Sequence, residues 1–343
     1  MKIKISKIIL ISFLCIAFLT GCNQNASTTI APTDETTGEI PSGINEITDK
    51  DKDVTYDEST AVTIVFTDDS ITSSDSSVNI SGSVATIIGS GTYVISGSSK
   101  DGQLIVNADK TEDVHLIFKG LDLTCKNSSP VYIISADKTI ITLYEGTKNT
   151  LSDTLGFKYT DATAEEPNAT IFSKDSLTIN GSGTLTINGK FNNGIQSKDH
   201  LKILGGTITV NSQNDALKGK DSVTIAGGTM KLISNGDGIT SSNAVDSALG
   251  YVNIIGGNVT IDSSEKGIKA ESLVYIQQGT VNIDAIDDSI NCNVEFKMDG
   301  GNLTLKTKDD AIRADFSITI TGGNVNIVDC YLDYNSDSVN IKK

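Results

Sequence analysis

Apolar and polar residues alternate at period two in short runs along most of the chain, which predicts strands rather than helices. The alternation is organised around a recurring glycine. Gly183, Gly206, Gly228, Gly257, Gly279, Gly301 and Gly323 are spaced by 23, 22, 29, 22, 22 and 22 residues, and each opens one phrase: GTLTI, GTITV, GTMKL, GNVTI, GTVNI, GNLTL, GNVNI. A fixed period in this range means stacked supersecondary units.

Aligned on the glycine, the repeats yield five apolar columns. The first runs Leu177, Leu201, Val223, Val252, Val274, Phe296, Ile318, and the second Ile179, Ile203, Ile225, Ile254, Ile276, Met298, Ile320. After the glycine come Leu185, Ile208, Met230, Val259, Val281, Leu303, Val325, then Ile187, Val210, Leu232, Ile261, Ile283, Leu305, Ile327. The fifth is Ile195, Leu217, Ile239, Ile268, Ile290, Ile312, Leu332. Two apolar positions, a glycine turn, two more, a polar turn, then one: this predicts three short strands per coil. Stacking like on like makes each column an inward ladder, with coils about 4.8 Å apart. The fold expected is an all-β, right-handed parallel β-helix, since parallel crossovers are nearly always right-handed. Two residues beyond the fifth column stand Ser197, Gly219, Ser241, Ala270, Cys292 and Ala314, all small, as a tight inward corner demands. Cys292 therefore reads as core, not as a nucleophile.

Earlier coils are irregular. Gly91, Gly120 and Gly146 read as the same corner position, making ten coils, with insertions at about 152–169 and 242–250. Residues 61–90 are expected to cap the N-terminal end, because an open end invites edge pairing. Ser338 to Ile341 begins one more strand and leaves the other end thinly capped.

The first residues read as an export signal. Lys2, Lys4 and Lys7 precede an apolar run from Ile8 to Leu19, too short to span a bilayer comfortably. Leu19-Thr20-Gly21-Cys22 resembles a bacterial lipobox, which implies cleavage after residue 21 and a diacylglycerol on the Cys22 thiol. The protein is then expected outside the cell, held to the outer face of the membrane by lipid alone. Residues 22–60, rich in Thr, Ser, Asp and Glu with Pro32 and Pro41, predict a flexible tether, and residues 61–343 the folded domain. Beyond Cys22 only Cys125, Cys292 and Cys330 remain, which indicates neither a zinc site nor a disulfide framework.

The net charge of −16 argues against nucleic acid and against direct attraction to anionic lipid. Cations and neutral sugars are compatible; an acidic polysaccharide needs a bridging cation. Acidic turns precede the fifth column: Asn192-Asn193, Asn214-Asp215, Gly236-Asp237, Glu265-Lys266, Asp287-Asp288, Asp309-Asp310. Carboxylates one coil apart repel by about 3 kcal/mol at an effective dielectric near 20, and a hard cation with oxygen ligands removes that cost. Calcium is expected at Asp287, Asp288, Asp309 and Asp310, with Asp215 and Asp237 a weaker pair. Asp175, Asp199 and Asp221 form a second candidate ladder, beside Lys174, Lys198 and Lys220, which could neutralise it without metal. The alternative throughout is that Asp and Asn simply make Asx turns.

The run from Pro167 to Gly183 (PNATIFSKDSLTINGSG), with the Ser197-Lys198-Asp199 and Gly219-Lys220-Asp221 corners and the glycine phrases, resembles a clostridial family of secreted carbohydrate-binding domains over roughly residues 61–343. The resemblance implies a pectate-lyase-like fold, calcium, and binding of cellulose-like or polygalacturonate-like polysaccharide; it does not imply lyase activity. Pectate-lyase-like enzymes pass the C5 proton of a calcium-held uronate to a basic side chain, so Arg313, the single arginine, is the one catalytic candidate. An inverting hydrolase needs two spaced carboxyls, which coil stacking supplies by accident. The chain has no Trp, nine Tyr and nine Phe; alternation turns Tyr275 outward and Phe296 inward. Three functions are compatible with this reading: polysaccharide binding with calcium, a calcium-dependent polysaccharide lyase, and a structural adhesin-like rod.

Overall fold

The computed structural model describes residues 47–161 and 163–342. The export segment, Cys22 and the tether up to residue 46 lie outside the described residues. Those described form a parallel β-solenoid with one four-residue helix, Asp49–Lys52.

Three ladders of parallel strands build the solenoid. The first stacks Lys138–Leu143, Ser176–Gly181, His200–Ile203 and their successors as far as Ser338–Ile341. The second runs from Lys148–Ser152 and Thr184–Gly189 to Asn324–Asp329. The third runs from Val84–Ile87 to Tyr334–Asn335. The first four sequence columns stack in register without exception, Leu185 on Ile208 on Met230 on Val259 for example. Their side chains, with the fifth column as far as Ile312, fill one continuous core in which Ile254 is fully buried. The small column packs at the corner as expected: Cys292 pairs with Ala270 and Ala314 and is buried.

The corner glycines repeat for two physical reasons. Gly228 has φ +87°, a region that side chains with a Cβ avoid. A Cβ there would also lie 2.8 Å from the carbonyl oxygen of Gly206 one coil earlier.

The first and last coils depart from the expected register. Gly91 pairs with Val114 in the first ladder, so it is not a corner residue. Lys148 pairs with Thr184, which sets Thr147 rather than Gly146 opposite Gly183. The reason is that Gly91–Ser99 and Asp113–Thr124 are long strands that pass through the corner unbroken, bending at Gly97 and Gly120, where φ is +92° and +84°. The third ladder holds 12 strands, of which only Val78–Ser81 is antiparallel to its neighbour, so the solenoid has about eleven turns rather than ten. In the last coil Tyr334, 22 residues after Ile312, takes the fifth-column place opposite it, and the one-residue bulge beside Leu305 and Lys306 does not carry over to the third ladder. Leu332, expected there, is 44% exposed.

The N-terminal cap reverses strand direction. Val62–Phe66 extends the sheet in parallel on Gly91–Ser99 and is closed by antiparallel Ile71–Ser73, and Val78–Ser81 closes the third ladder in the same way. At the other end Val339 and Ile341 stay exposed. The folded part begins before residue 61. Asp51, assigned by composition to the tether, is 0% exposed and clasped against the outer side of the first ladder. Its carboxylate accepts from Thr178 Oγ1 at 2.7 Å and from the ammonium groups of Lys138 and Lys202 at 3.0 and 3.2 Å. Asn180 Nδ2 donates to the carbonyls of Asp51 and Asp53.

Candidate functional site

The turn between the second and third ladders carries the acidic residues. Register places Asn193, Asp215, Asp237, Lys266, Asp288 and Asp310 in one column, two residues before the stacked Ile195, Leu217, Ile239, Ile268, Ile290 and Ile312. The Asn and four Asp of this column are all buried. Their Oδ1 atoms accept backbone N–H groups from the next coil: Asp215 N to Asn193, Asp237 N to Asp215, Lys266 N to Asp237, Asp310 N to Asp288, at 2.9–3.2 Å. The other oxygen turns to the side chain three residues on. Lys218 Nζ donates to Asp215 at 3.0 Å, Thr240 Oγ1 to Asp237 at 3.4 Å, and Asn291 Nδ2 to Asp288 at 2.7 Å. For Asp215 and Asp237 the protein itself supplies partners for both oxygens, which is the Asx arrangement carried from coil to coil. Burial, and then the charge of Asp215, push the Asp237 carboxyl up.

Near the C-terminal end this column gains a second row. Asp287, Asp288 and Asp309 each bring an oxygen within 4.8 Å of the others, the one such group of three among the described residues. Asp287 is half-buried, Asp288 buried and Asp309 exposed, so the group opens to solvent on one side. Lys266 Nζ donates to Asp287 Oδ2, and the backbone N–H of Asp288 donates to Asp287 Oδ1 at 2.8 Å. Burial works to raise the Asp287 pKa, but these two hydrogen bonds and the charges of Lys266 and Arg313 hold it below the usual carboxylate value. Burial and the Asp287 charge push Asp288 up. Asp310, the fourth expected member, falls outside the group. Asn335 Nδ2 donates to its Oδ2, and its Oδ1 is buried with no protein partner among the described residues. The last coil keeps its place in the column, since the Ala311 N–H donates to the Leu332 carbonyl at 2.8 Å, but no donor from that coil reaches Asp310 Oδ1.

The Asp175, Asp199, Asp221 ladder sits at the corner between the third and first ladders. Asp175 accepts from the Ala136 N–H at 3.1 Å and lies 3.7 Å from Lys110 Nζ, and Asp221 accepts from Asn243 Nδ2 at 2.7 Å. Burial, then the charges of Asp221 and Asp175, push the Asp199 carboxyl up. Lys174 and Lys198 turn away from this ladder to Glu166, at 3.3 and 2.8 Å. Arg313 is exposed on the outer side of the third ladder, in the row Asn291, Arg313, Asn335.

Tyr275 faces outward and Phe296 is buried, as alternation predicts. Lys297 Nζ stands 4.7 Å over the Tyr275 ring and its hydroxyl donates to Asp299, so the ring is a covered surface. Burial first, then Asp299, push its hydroxyl up to about 12. Cys292 is likewise pushed up to about 12 by burial, which leaves no thiolate for nucleophilic chemistry.

One local structure was not legible in the columns. The insertion at 152–169 carries Phe157, whose ring stacks on Phe191 at 4.5 Å and 2°, with Tyr159 edge-on at 5.5 Å. Buried Asp153 anchors it, accepting from Thr170 Oγ1 and from the N–H groups of Lys190 and Phe191 at 2.7–3.0 Å. The aromatic spacing of Phe157, Tyr159 and Phe191 was the available signal.

Residues 81–333 match the family of carbohydrate-binding domain-containing proteins. A relative of that description from Acetivibrio thermocellus is 35% identical over 208 residues, which cover 60% of this chain and 65% of the relative. The chain thus spans just under two thirds of that relative's length. A solved structure described as a polysaccharide lyase-like protein from C. thermocellum, as a gadolinium derivative, superposes with a TM-score of 0.60 at 31% identity, covering 82% of this chain and 100% of the other.

Proposed function

The chain belongs to the carbohydrate-binding domain-containing family, and from that premise we propose that it is a surface lipoprotein, anchored through Cys22, that binds acidic polysaccharide with calcium. The observation that carries the reading is the group formed by Asp287, Asp288 and Asp309 on the outer edge of the solenoid. Ligand oxygens up to 4.8 Å apart match twice a calcium–oxygen distance of about 2.4 Å, and the donors are hard carboxylate oxygens, so the residues present fit the ion. Asp309, exposed and without the ladder bonds of its neighbours, leaves the solvent side open to a ligand. Bound there, calcium supplies the positive charge that lets a carboxylated sugar approach a protein of net charge −16. Lys266 and Arg313 are the nearby protein cations whose charge acts on this group, and Asn291 and Asn335 flank Arg313 with amides suited to sugar hydroxyls.

The test is polygalacturonate binding by the full chain with calcium and with EDTA, while absorbance is followed for unsaturated products. Calcium-dependent binding with flat absorbance supports a binding module. Growth of absorbance identifies a lyase and makes exposed Arg313 the first residue to replace. Absence of binding in both conditions leaves the adhesin-like rod.

A further inference from the structure

On the same edge of the solenoid, but toward its N-terminal half, lies a groove of about 480 Å³ that the acidic cluster does not use. Its floor is a patch of primary amides: Asn188, Asn211, Gln213 and Asn235. They come together because the turn after the second ladder stacks residue on residue, with Asn188 in register with Asn211. The amides contact one another only loosely, Asn211 Nδ2 to Asn188 Oδ1 at 3.5 Å and Asn235 Nδ2 to Gln213 Oε1 at 3.3 Å. Asn188 Nδ2 also donates to Ser152 Oγ at 3.1 Å, whereas Asn211, Gln213 and Asn235 are exposed. With two N–H donors and a carbonyl with two lone pairs on each amide, these three keep most of their capacity toward solvent. Leu155, 83% exposed, and half-buried Ile233 add apolar surface. The single charged residue on the lining is Lys190.

We propose that this groove is a subsite for uncharged sugar residues of a polysaccharide, separate from the calcium cluster. Rows of amides pair with vicinal hydroxyls through simultaneous donation and acceptance, and an apolar wall suits the C–H face of a pyranose. The lining holds no carboxylate to bridge a cation, so a uronate gains nothing here from calcium. The wall is built in advance. Asp153 holds the Lys190–Phe191 backbone, and the Phe157–Phe191 stack fastens the insertion that presents Leu155. Two coils, about 10 Å, separate Asn235 from Asp287 along one edge, so a single extended glycan can lie across both.

This inference rests on the polysaccharide-binding reading, but its test runs without calcium, so each can fail alone. Cellohexaose, xylohexaose and mannohexaose are titrated calorimetrically into the full chain in EDTA. At least one is expected to bind, and the double variant Asn211→Ala, Asn235→Ala to weaken it at least tenfold at an unchanged melting temperature. Leu155→Ser, at an exposed position outside the core, is expected to weaken the same sugar. Binding of none of the three, or equal binding by the wild type and both variants, overturns the proposal.

Discussion

Lys202 Nζ lies 3.2 Å from Asp51 Oδ2, joining residues 151 positions apart in a buried ion pair. Lys138 at 3.0 Å and the Thr178 hydroxyl at 2.7 Å complete the clasp. Burial alone would raise the Asp51 pKa, but these partners hold it far below the usual carboxylate range. Removing one partner of a buried charge cluster costs about 3–5 kcal/mol. Asp51→Ala is therefore expected to release residues 47–56 from the ladder, read as lost amide-exchange protection at Thr48 and Asp53, whose N–H groups bond within that segment, while the core columns keep theirs. A depressed folded-state pKa contributes stability above the unfolded value of about 3.9 and loses it as pH falls through the lower folded value. The clasp should hold at neutral pH and open only in strong acid. Unchanged exchange in the variant would refute this role.

The core columns make a sharper contrast. Ile254 is fully buried, and Thr260 points outward from an adjacent strand of the same coil. Ile254→Asp should cost more than about 4 kcal/mol, because an unpaired buried charge is among the most damaging substitutions. Thr260→Asp should stay within about 0.5 kcal/mol. Comparable urea midpoints for the two would contradict the register.

Much of this fold is written in the alternation. The columns from Leu177 to Ile327 stack as their spacing predicts, because period-two patterning with a glycine at each corner admits one inward face. The early coils hide their register because Gly91–Ser99 and Asp113–Thr124 run through the corner, so the glycines no longer mark it. Leu332 misled for another reason: it is the nearest aliphatic residue, but the 22-residue period from Ile312 falls on the aromatic Tyr334. The clasp at Asp51 is masked by linker-like composition, since a single buried carboxylate leaves no periodic trace. For the acidic turns the positions were legible, but the partners were not. Lys218 and Asn291 lie three residues on in sequence, and the N–H donors come from the neighbouring coil.

The buried carboxyls predict a second pH effect, opposite in sign to that of Asp51. Asp199, Asp237 and Asp288 are all pushed up, by burial first. A raised carboxyl contributes stability below the unfolded value of about 3.9, and that contribution is lost as pH rises through the higher folded value. Asp237→Asn keeps an oxygen for the Lys266 N–H and removes the charge. In metal-free buffer it should stabilise the protein at pH 7 relative to wild type, and the gain should vanish near pH 4. Thermal melts at the two pH values check this; a variant less stable at pH 7 would show that the charged form is the favoured one.

The anchor is tested at the other end of the chain. Cys22→Ala should shift the protein from the membrane fraction to the medium or leave it unprocessed. Fractionation and processing identical to wild type would remove the lipid anchor from the account.

The central claim is that Asp287, Asp288 and Asp309 couple calcium to an acidic polysaccharide. Such coupling is reciprocal: if calcium tightens polygalacturonate, polygalacturonate must tighten calcium by the same factor. The direct measurement is calorimetric titration of calcium into the full chain with and without polygalacturonate, repeated with Asp287→Asn, Asp309→Asn. The account predicts at least tenfold tighter calcium binding in the presence of the polysaccharide, about 1.4 kcal/mol of coupling, and loss of that gain in the double variant with the fold intact. Equal calcium affinity with and without polygalacturonate, or an undiminished gain in the variant, would contradict it.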